Sequence, residues 1–326
     1  MSSEQTEQTP HGFAADPVSN DTHADSAAEP TPAAVPTEDT PLFSERRKAE
    51  GLYFALRNKK LVGGLSVVTL FLVMGIVAPM FIDHPPNEYV GPSNAPPSGE
   101  YWFGTTNFGQ DIYAQFVYGL RSTFLVGIFG GGVAALVGML VGFIAGYRGG
   151  IVDEILNMIT NVVLVLPALA VLLVVAAYLE NRGVAVQSFF IGLTSWPWAA
   201  RAVRAQTLSL SARDFVGLAK LSGVKTRHII FREIAPNMSS YLFMMFILLF
   251  GGAVLIAAGL DFIGFGPTNG ISLGLMMHHA VNWGALQLGM WWWFVPPGLG
   301  ITAIVGAMYI MNVGLDEVFN PKLREM

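Results

Sequence analysis

The chain is 326 residues long, 52% apolar and 13% charged, where a soluble domain carries about a quarter charged residues. It has no cysteine, which excludes disulfides, thiol catalysis and cysteine-based metal sites. The net charge of −5 comes from an acidic N-terminal stretch, since ten of the 23 acids precede residue 51, and the rest reads as an integral membrane protein.

Residues 1–44 are rich in Ser, Thr, Pro, Ala, Asp and Glu and lack the apolar surface to order themselves. They are expected to form a disordered cytosolic tail, too long and too acidic for a secretory signal. Residues 45–60, ERRKAEGLYFALRNKK, put Leu52, Tyr53 and Leu56 on one helical face between cations. That pattern suits an interfacial elbow helix or a plain positive flank.

A membrane span needs about 20 apolar residues. Six candidates follow: 61–82, 122–147, 155–178, 184–200, 239–260 and 290–313. The fourth is the shortest, interrupted by Gln187, Thr194 and Trp196-Pro197. Residues 83–121 form a first extracytoplasmic loop. Its first half is broken by prolines, and its second half, with Ile112, Phe116 and Leu120 at helical spacing, predicts a short amphipathic helix at the outer interface. The core of spans two to six occupies 122–315, with a cytosolic C-terminus at 316–326. Segment 261–289 is a second outer loop in which ISLGLMMHHAVNWGALQL predicts a helix.

Cation placement sets the orientation. With the N-terminus inside, 16 of the 18 Lys and Arg residues face the cytosol, and only Arg121 and Arg182 fall outside. Both termini are then cytosolic in a multi-pass protein of the cell membrane.

Seven of those cations lie in the loop 201–237. Within it, RDFVGLAKLSGVKTRHIIFREIAPN predicts two helices around a turn. Asp214 suits a helix N-cap or first-turn acid. Phe215, Leu218 and Leu221 give an apolar stripe. Gly217 and Ala219 leave little bulk, so that a partner surface can approach closely. Gly223 suits the left-handed residue that closes a helix. Ile229, Ile230, Phe231 and Ile234 supply the apolar face of the second helix, and Pro236 fits the first turn of the next span.

Inside the membrane, Asp153 and Glu154 start the third span and Asp261 ends the fifth. Asp261 reads as a solvated charge at a helix end, with substrate contact at an outer mouth as the alternative. Gly138, Gly142 and Gly146, preceded by Gly127 and Gly131, form a ribbon for close helix packing against another span or a second subunit. Pro167 is expected to kink the third span. Trp291, Trp292 and Trp293 read as an interfacial anchor, with Trp291 stacking on a substrate ring as the sharper alternative. His278 and His279 point about 100° apart on a helix, so no metal site is expected. There is no Walker-type loop, no nucleophile–base arrangement and no nucleic-acid motif.

The loop 213–237 resembles the EAA loop of bacterial ABC-importer permeases. The matching positions are Gly217-Leu218-Ala219, Gly223 and Ile234-Ala235-Pro236. Gly217 replaces the family's Glu, and Ala235 its Leu. The resemblance covers roughly residues 50–326 through FALRNKKLVGGLSVV, FGTTNFGQDIYAQFVYGLRST, AGYRGGIVDEI, WPWAARAVRAQTLSL, LDFIGFG and GLDEVFNPK. Gln110 stands where Arg is usual, and Asn312-Val313 where Gly-Asp is frequent. It is similar to the C-type permease subunit of dipeptide and oligopeptide importers.

The resemblance implies an all-α membrane protein with six transmembrane helices of the type I, MetI-like permease fold, and a cytosolic coupling helix between spans four and five. It implies that Asp214, Phe215, Gly217, Leu218, Ala219, Gly223, Ile234 and Pro236 form the surface gripped by an ATPase. ATP and Mg would be bound by two partner ATPase subunits, and this chain would have no cofactor and no enzymatic activity of its own. The other implied partners are a second, homologous permease in a heterodimer, an extracytoplasmic substrate-binding protein and membrane lipids, with no nucleic acid. The cargo would be di- or oligopeptides, with oligosaccharides or a metal chelate as alternatives. A different class, an ion-coupled secondary carrier, is disfavoured by the scarcity of charges within the spans.

Overall fold

The computed structural model describes residues 56–319. The tail 1–44, most of the expected elbow at 45–60 and residues 320–326 lie outside the described residues. Nine principal helices are used below: α1 Lys59–Val77, α2 Ile112–Arg148, α3 Gly150–Val165, α4 Ala168–Tyr178, α5 Val184–Ser211, α6 Asp214–Leu221, α7 Ser239–Leu260, α8 Leu273–Asn282 and α9 Trp291–Phe319. No strand occurs among the described residues, only two isolated bridges, Tyr89 with Gln110 and Thr105 with Asp111.

Asn58 caps α1, its side chain accepting from the N–H groups of Lys60 and Leu61. It also donates to Glu317 at 2.8 Å, and Lys60 pairs with the same carboxylate. The start of α1 is thereby tied to the end of α9. Gly64 and Gly314 let the two backbones touch: a Cβ on either would lie 2.6 or 2.5 Å from the other helix.

α2 is the hub, packing on α1, α3, α5 and α7. Asp111 caps it, accepting from Tyr113 N at 2.9 Å. The separate interfacial helix expected in 83–121 does not form, because α2 begins at Ile112 and runs unbroken for 37 residues. Ile112, Phe116 and Leu120 are buried, packing into a core with Leu273, Met276, Trp293 and Ile304 rather than meeting lipid headgroups. The apolar stripe was real; its cover is protein.

The third expected span is two helices, α3 and α4, bent by 77° at Leu166-Pro167. Leu166 sits at φ −72°, ψ 128°, the extended region that a following proline imposes. Arg204 holds α3 to α5 by a two-pronged contact with Asp153 at 2.5 and 2.6 Å.

Among the described residues four helical spans, at Lys59–Phe81, Ile112–Arg148, Ser239–Phe265 and Trp291–Phe319, are long and apolar enough to cross a membrane, or five if the bent α3–α4 pair is one span. The fourth expected span, 184–200, lies in the 28-residue α5, which is not among them. Gln187, Thr194, Arg201 and Arg204 dilute its apolar character. The fold is therefore helical and multi-pass, with four or five clearly apolar crossings against the six expected.

Candidate functional site

The segment expected to bear function, 213–237, is a helical hairpin between α5 and α7. Arg213 stands at the N-cap position of α6 without a side-chain capping bond, and Asp214 takes the first-turn position, where a negative charge suits the helix dipole. Gly223, at φ +72°, closes α6. Its N–H bonds to Lys220 O at 3.1 Å, and that of Val224 to Ala219 O at 3.1 Å. This paired pattern is a Schellman closure, which needs a left-handed residue.

The predicted apolar stripe divides in the structure. Phe215 and Ala219 are half-buried against an inner cluster, while Leu218 and Leu221 are 64% and 87% exposed. The residue that anchors α6 is Val216, fully buried, which the sequence reading passed over. The available signal was its place three residues before Ala219 on the same helical face. Gly217 faces open space. Lys220 Nζ stands 5.0 Å from the Tyr147 ring centre, tying α6 to the end of α2.

After Gly223 the chain makes a short helical turn, Thr226–His228, a wide π-helical stretch, Ile229–Ile234, and a last turn, Ala235–Asn237. Ile229, Ile230 and Ile234 are buried as expected of the inner face. Phe231 is not part of that face: it is 60% exposed. The wide turn carries it outward. Pro236 is exposed in the single turn that precedes α7, where its missing N–H leaves no ladder bond unmade. The hairpin thus rests on buried Val216, Ile229 and Ile234, and presents Leu218, Leu221 and Phe231 outward. Arg213, Lys225, Arg227 and Arg232 are exposed on it as well.

At the other end of α7, Asp261 corrects the expectation of a solvated charge. It is 2% exposed. Its carboxylate accepts from Gln187 Nε2 and Ser272 Oγ, each at 2.5 Å, which joins α5, α7 and α8. The motif LDFIGFG becomes legible with it. Asp261–Phe265 is a π-helical turn, and Gly264 sits at φ +103°. A Cβ there would meet the His278 ring at 2.6 Å. His278 Nδ1–H donates to Phe262 O at 2.9 Å, while Nε2 accepts from Asn282 at 2.8 Å. His278 therefore pins α8 to this turn.

The three tryptophans part company. Trp293 is buried in the core, Trp292 packs over Gly104, and Trp291 alone is largely exposed, at 55%. Of the two residues expected on a substrate pathway, Asp261 is buried and Trp291 is exposed. Arg182, His278, His279 and Trp283 line a polar cavity of about 440 Å³ beside the Asp261 turn. Thr268 N donates to Arg182 O at 2.9 Å, closing the loop after α4 onto the loop before α8.

Comparison with known proteins fits this layout. The chain is 32% identical over 311 residues to the dipeptide transport system permease protein DppC of Alkalihalophilus pseudofirmus, covering 93% of this chain and 98% of that one. A putative peptide permease protein of Brucella suis is 30% identical over 269 residues, 82% of this chain and 88% of the relative. The oligopeptide transport system permease protein OppC of Bacillus subtilis is 29% identical, over 82% of this chain and 87% of its own. Residues 138–325, more than half of the chain and the part that holds α5, the 213–237 hairpin, the Asp261 turn and α9, match one family model, so that the protein belongs to the family of binding-protein-dependent transport system inner membrane components.

Proposed function

We propose that this chain is the transmembrane permease subunit of an ATP-driven importer of di- or oligopeptides, acting by alternating access with a second, homologous permease. Relatives named as dipeptide and oligopeptide permeases along most of their length support the cargo. The hairpin at 213–237 supports the coupling, and the observation that carries it is its two-sided build. Buried Val216, Ile229 and Ile234 fix it to the membrane helices, while Leu218, Leu221 and Phe231 remain uncovered.

In this reading Asp214, Phe215, Gly217, Leu218, Ala219 and Gly223 dock on an ATPase, and Ile234 and Pro236 hand its displacement to α7. A short helix with a fixed closure transmits a push; a loose turn would absorb it. Gly217 presents no carboxylate where the resembled EAA loop has Glu, so apolar contact dominates this docking. ATP and Mg belong to the two ATPase subunits, and an extracytoplasmic binding protein delivers the peptide. Sixteen of 18 cations lie on the hairpin's side when both termini are cytosolic, which supports that orientation.

Gly223→Pro tests the reading. Proline cannot reach φ +72° and removes the N–H that bonds to Lys220 O. The variant should insert normally, yet lose ATPase capture and ATP-dependent uptake of a labelled dipeptide, with wild-type uptake unaffected by a protonophore. If capture and uptake both survive, the hairpin is not the coupling element.

A further inference from the structure

A groove of about 540 Å³ follows α1 and the turn after it from Leu70 to Ile82 and ends against the loop that leads into α2. Its floor is apolar and open: Leu70, Val73, Val77 and Phe81 are 64%, 48%, 40% and 80% exposed. From Leu70 to Phe81 the chain rises about 16 Å at 1.5 Å per residue, close to one leaflet of a ~30 Å hydrocarbon core.

The head of the groove has different chemistry. Glu100, Asp111, Trp102 and Tyr113 line it, and no Lys or Arg does. The Trp102 and Tyr113 rings are tilted by 53° with centres 5.0 Å apart, and Trp102 is 63% exposed. Segment 83–111 carries Asp83, Glu88, Glu100 and Asp111 without one Lys or Arg. His84 stands 3.8 Å from Asp111. Burial nevertheless pushes the Asp111 carboxyl above its usual range, against the opposing pull of the Tyr113 N–H and His84. The chain leaves that charge undercompensated.

We propose that this groove is a lipid site, in which an acyl chain lies along α1 and a primary ammonium headgroup, as in phosphatidylethanolamine, seats among Glu100, Asp111, Trp102 and Tyr113. Carboxylates accept charge-assisted bonds from an ammonium, and ring faces attract it. An anionic headgroup would meet two carboxylates and no Lys or Arg. The depth of one leaflet and the apolar floor select a lipid over a peptide amine. The site is independent of the importer's cargo.

The test uses the intact transporter reconstituted in vesicles of equal phosphatidylethanolamine and phosphatidylglycerol, with retained lipid read by native mass spectrometry. The wild type should retain phosphatidylethanolamine preferentially. Glu100→Lys should cut that preference about tenfold, the effect of one lost charge-assisted bond. Asp111→Asn, which still caps α2, and Trp102→Ala should weaken retention. Equal retention of both lipids by the wild type, or a preference unmoved by Glu100→Lys, would overturn the site. Because the chain has no cysteine, Val73→Cys reports the occupant of the floor. A lipid-phase maleimide should label it; crosslinking to the second permease or to residues 1–55 would make the groove a protein interface and refute the proposal.

Discussion

Ser272 holds two roles in one hydroxyl. It donates to Asp261 and accepts the N–H of Leu275 at 3.1 Å, capping α8. Ser272→Ala removes the cap and one of the two donors to a buried carboxylate, and should lower stability by about 2 kcal/mol. Ser272→Thr should recover much of it. Thermal unfolding of the purified protein, with hydrogen exchange localised to α8, measures both. Beside it, burial and the neighbouring His278 hold the His279 imidazole below its ordinary value. The folded state then binds that proton less readily than the unfolded chain. Its contribution to stability is complete above the unfolded value of about 6.5 and fades as pH falls through the folded one. His279→Gln should flatten the fall in stability as pH drops below about 6.5. A slope as steep as the wild type's would contradict the assignment.

Among the elements, α2 shows how small residues become specific. Gly138, Gly142 and Gly146 all face α5, where a Cβ on each would stand 2.5, 2.7 and 2.8 Å from Ala199, Val203 and Arg204 or Thr207. Gly127 and Gly131 face Phe250 of α7 instead. Gly132, on the same helix, faces open space. Gly138→Ala should therefore destabilise by about 1–3 kcal/mol through overpacking, while Gly132→Ala should be neutral or stabilise by roughly 0.5–1 kcal/mol. Equal effects in a side-by-side unfolding series would show that the α2–α5 approach is looser than described. The ribbon was legible as spacing, but a period of four residues names no partner. Likewise Pro167 announced a kink but not its 77°.

At the scale of the molecule, burial is uneven. The most apolar stretch of α9 is 50% buried and that of α2 44%, against 17% for α1. On α3, Met158, Val162 and Val165 are 60%, 59% and 83% exposed. Such apolar faces meet lipid or another subunit. With a second permease as partner, α3 is the expected shared face. Val162→Cys should form a crosslink to that permease in the assembled transporter, detected as a heterodimer band. If it reacts only with a lipid-phase label, the second permease packs elsewhere.

The sequence by itself determined that the chain is helical and membrane-embedded, where most of its helices lie, and that 213–237 is a helix–turn–helix around Gly223. These are local matters: apolar run length, period and the left-handed turn depend on neighbours along the chain. Tertiary structure alone decided that Ile112, Phe116 and Leu120 open a 37-residue helix and face a core, that Phe231 turns outward, and that Asp261 is buried between Gln187 and Ser272. A hydrophobic pattern states which side chains leave water but not what replaces it. Asp261 and its two donors stand 74 and 11 residues apart in the chain, so only the packed helices could bring them into one site.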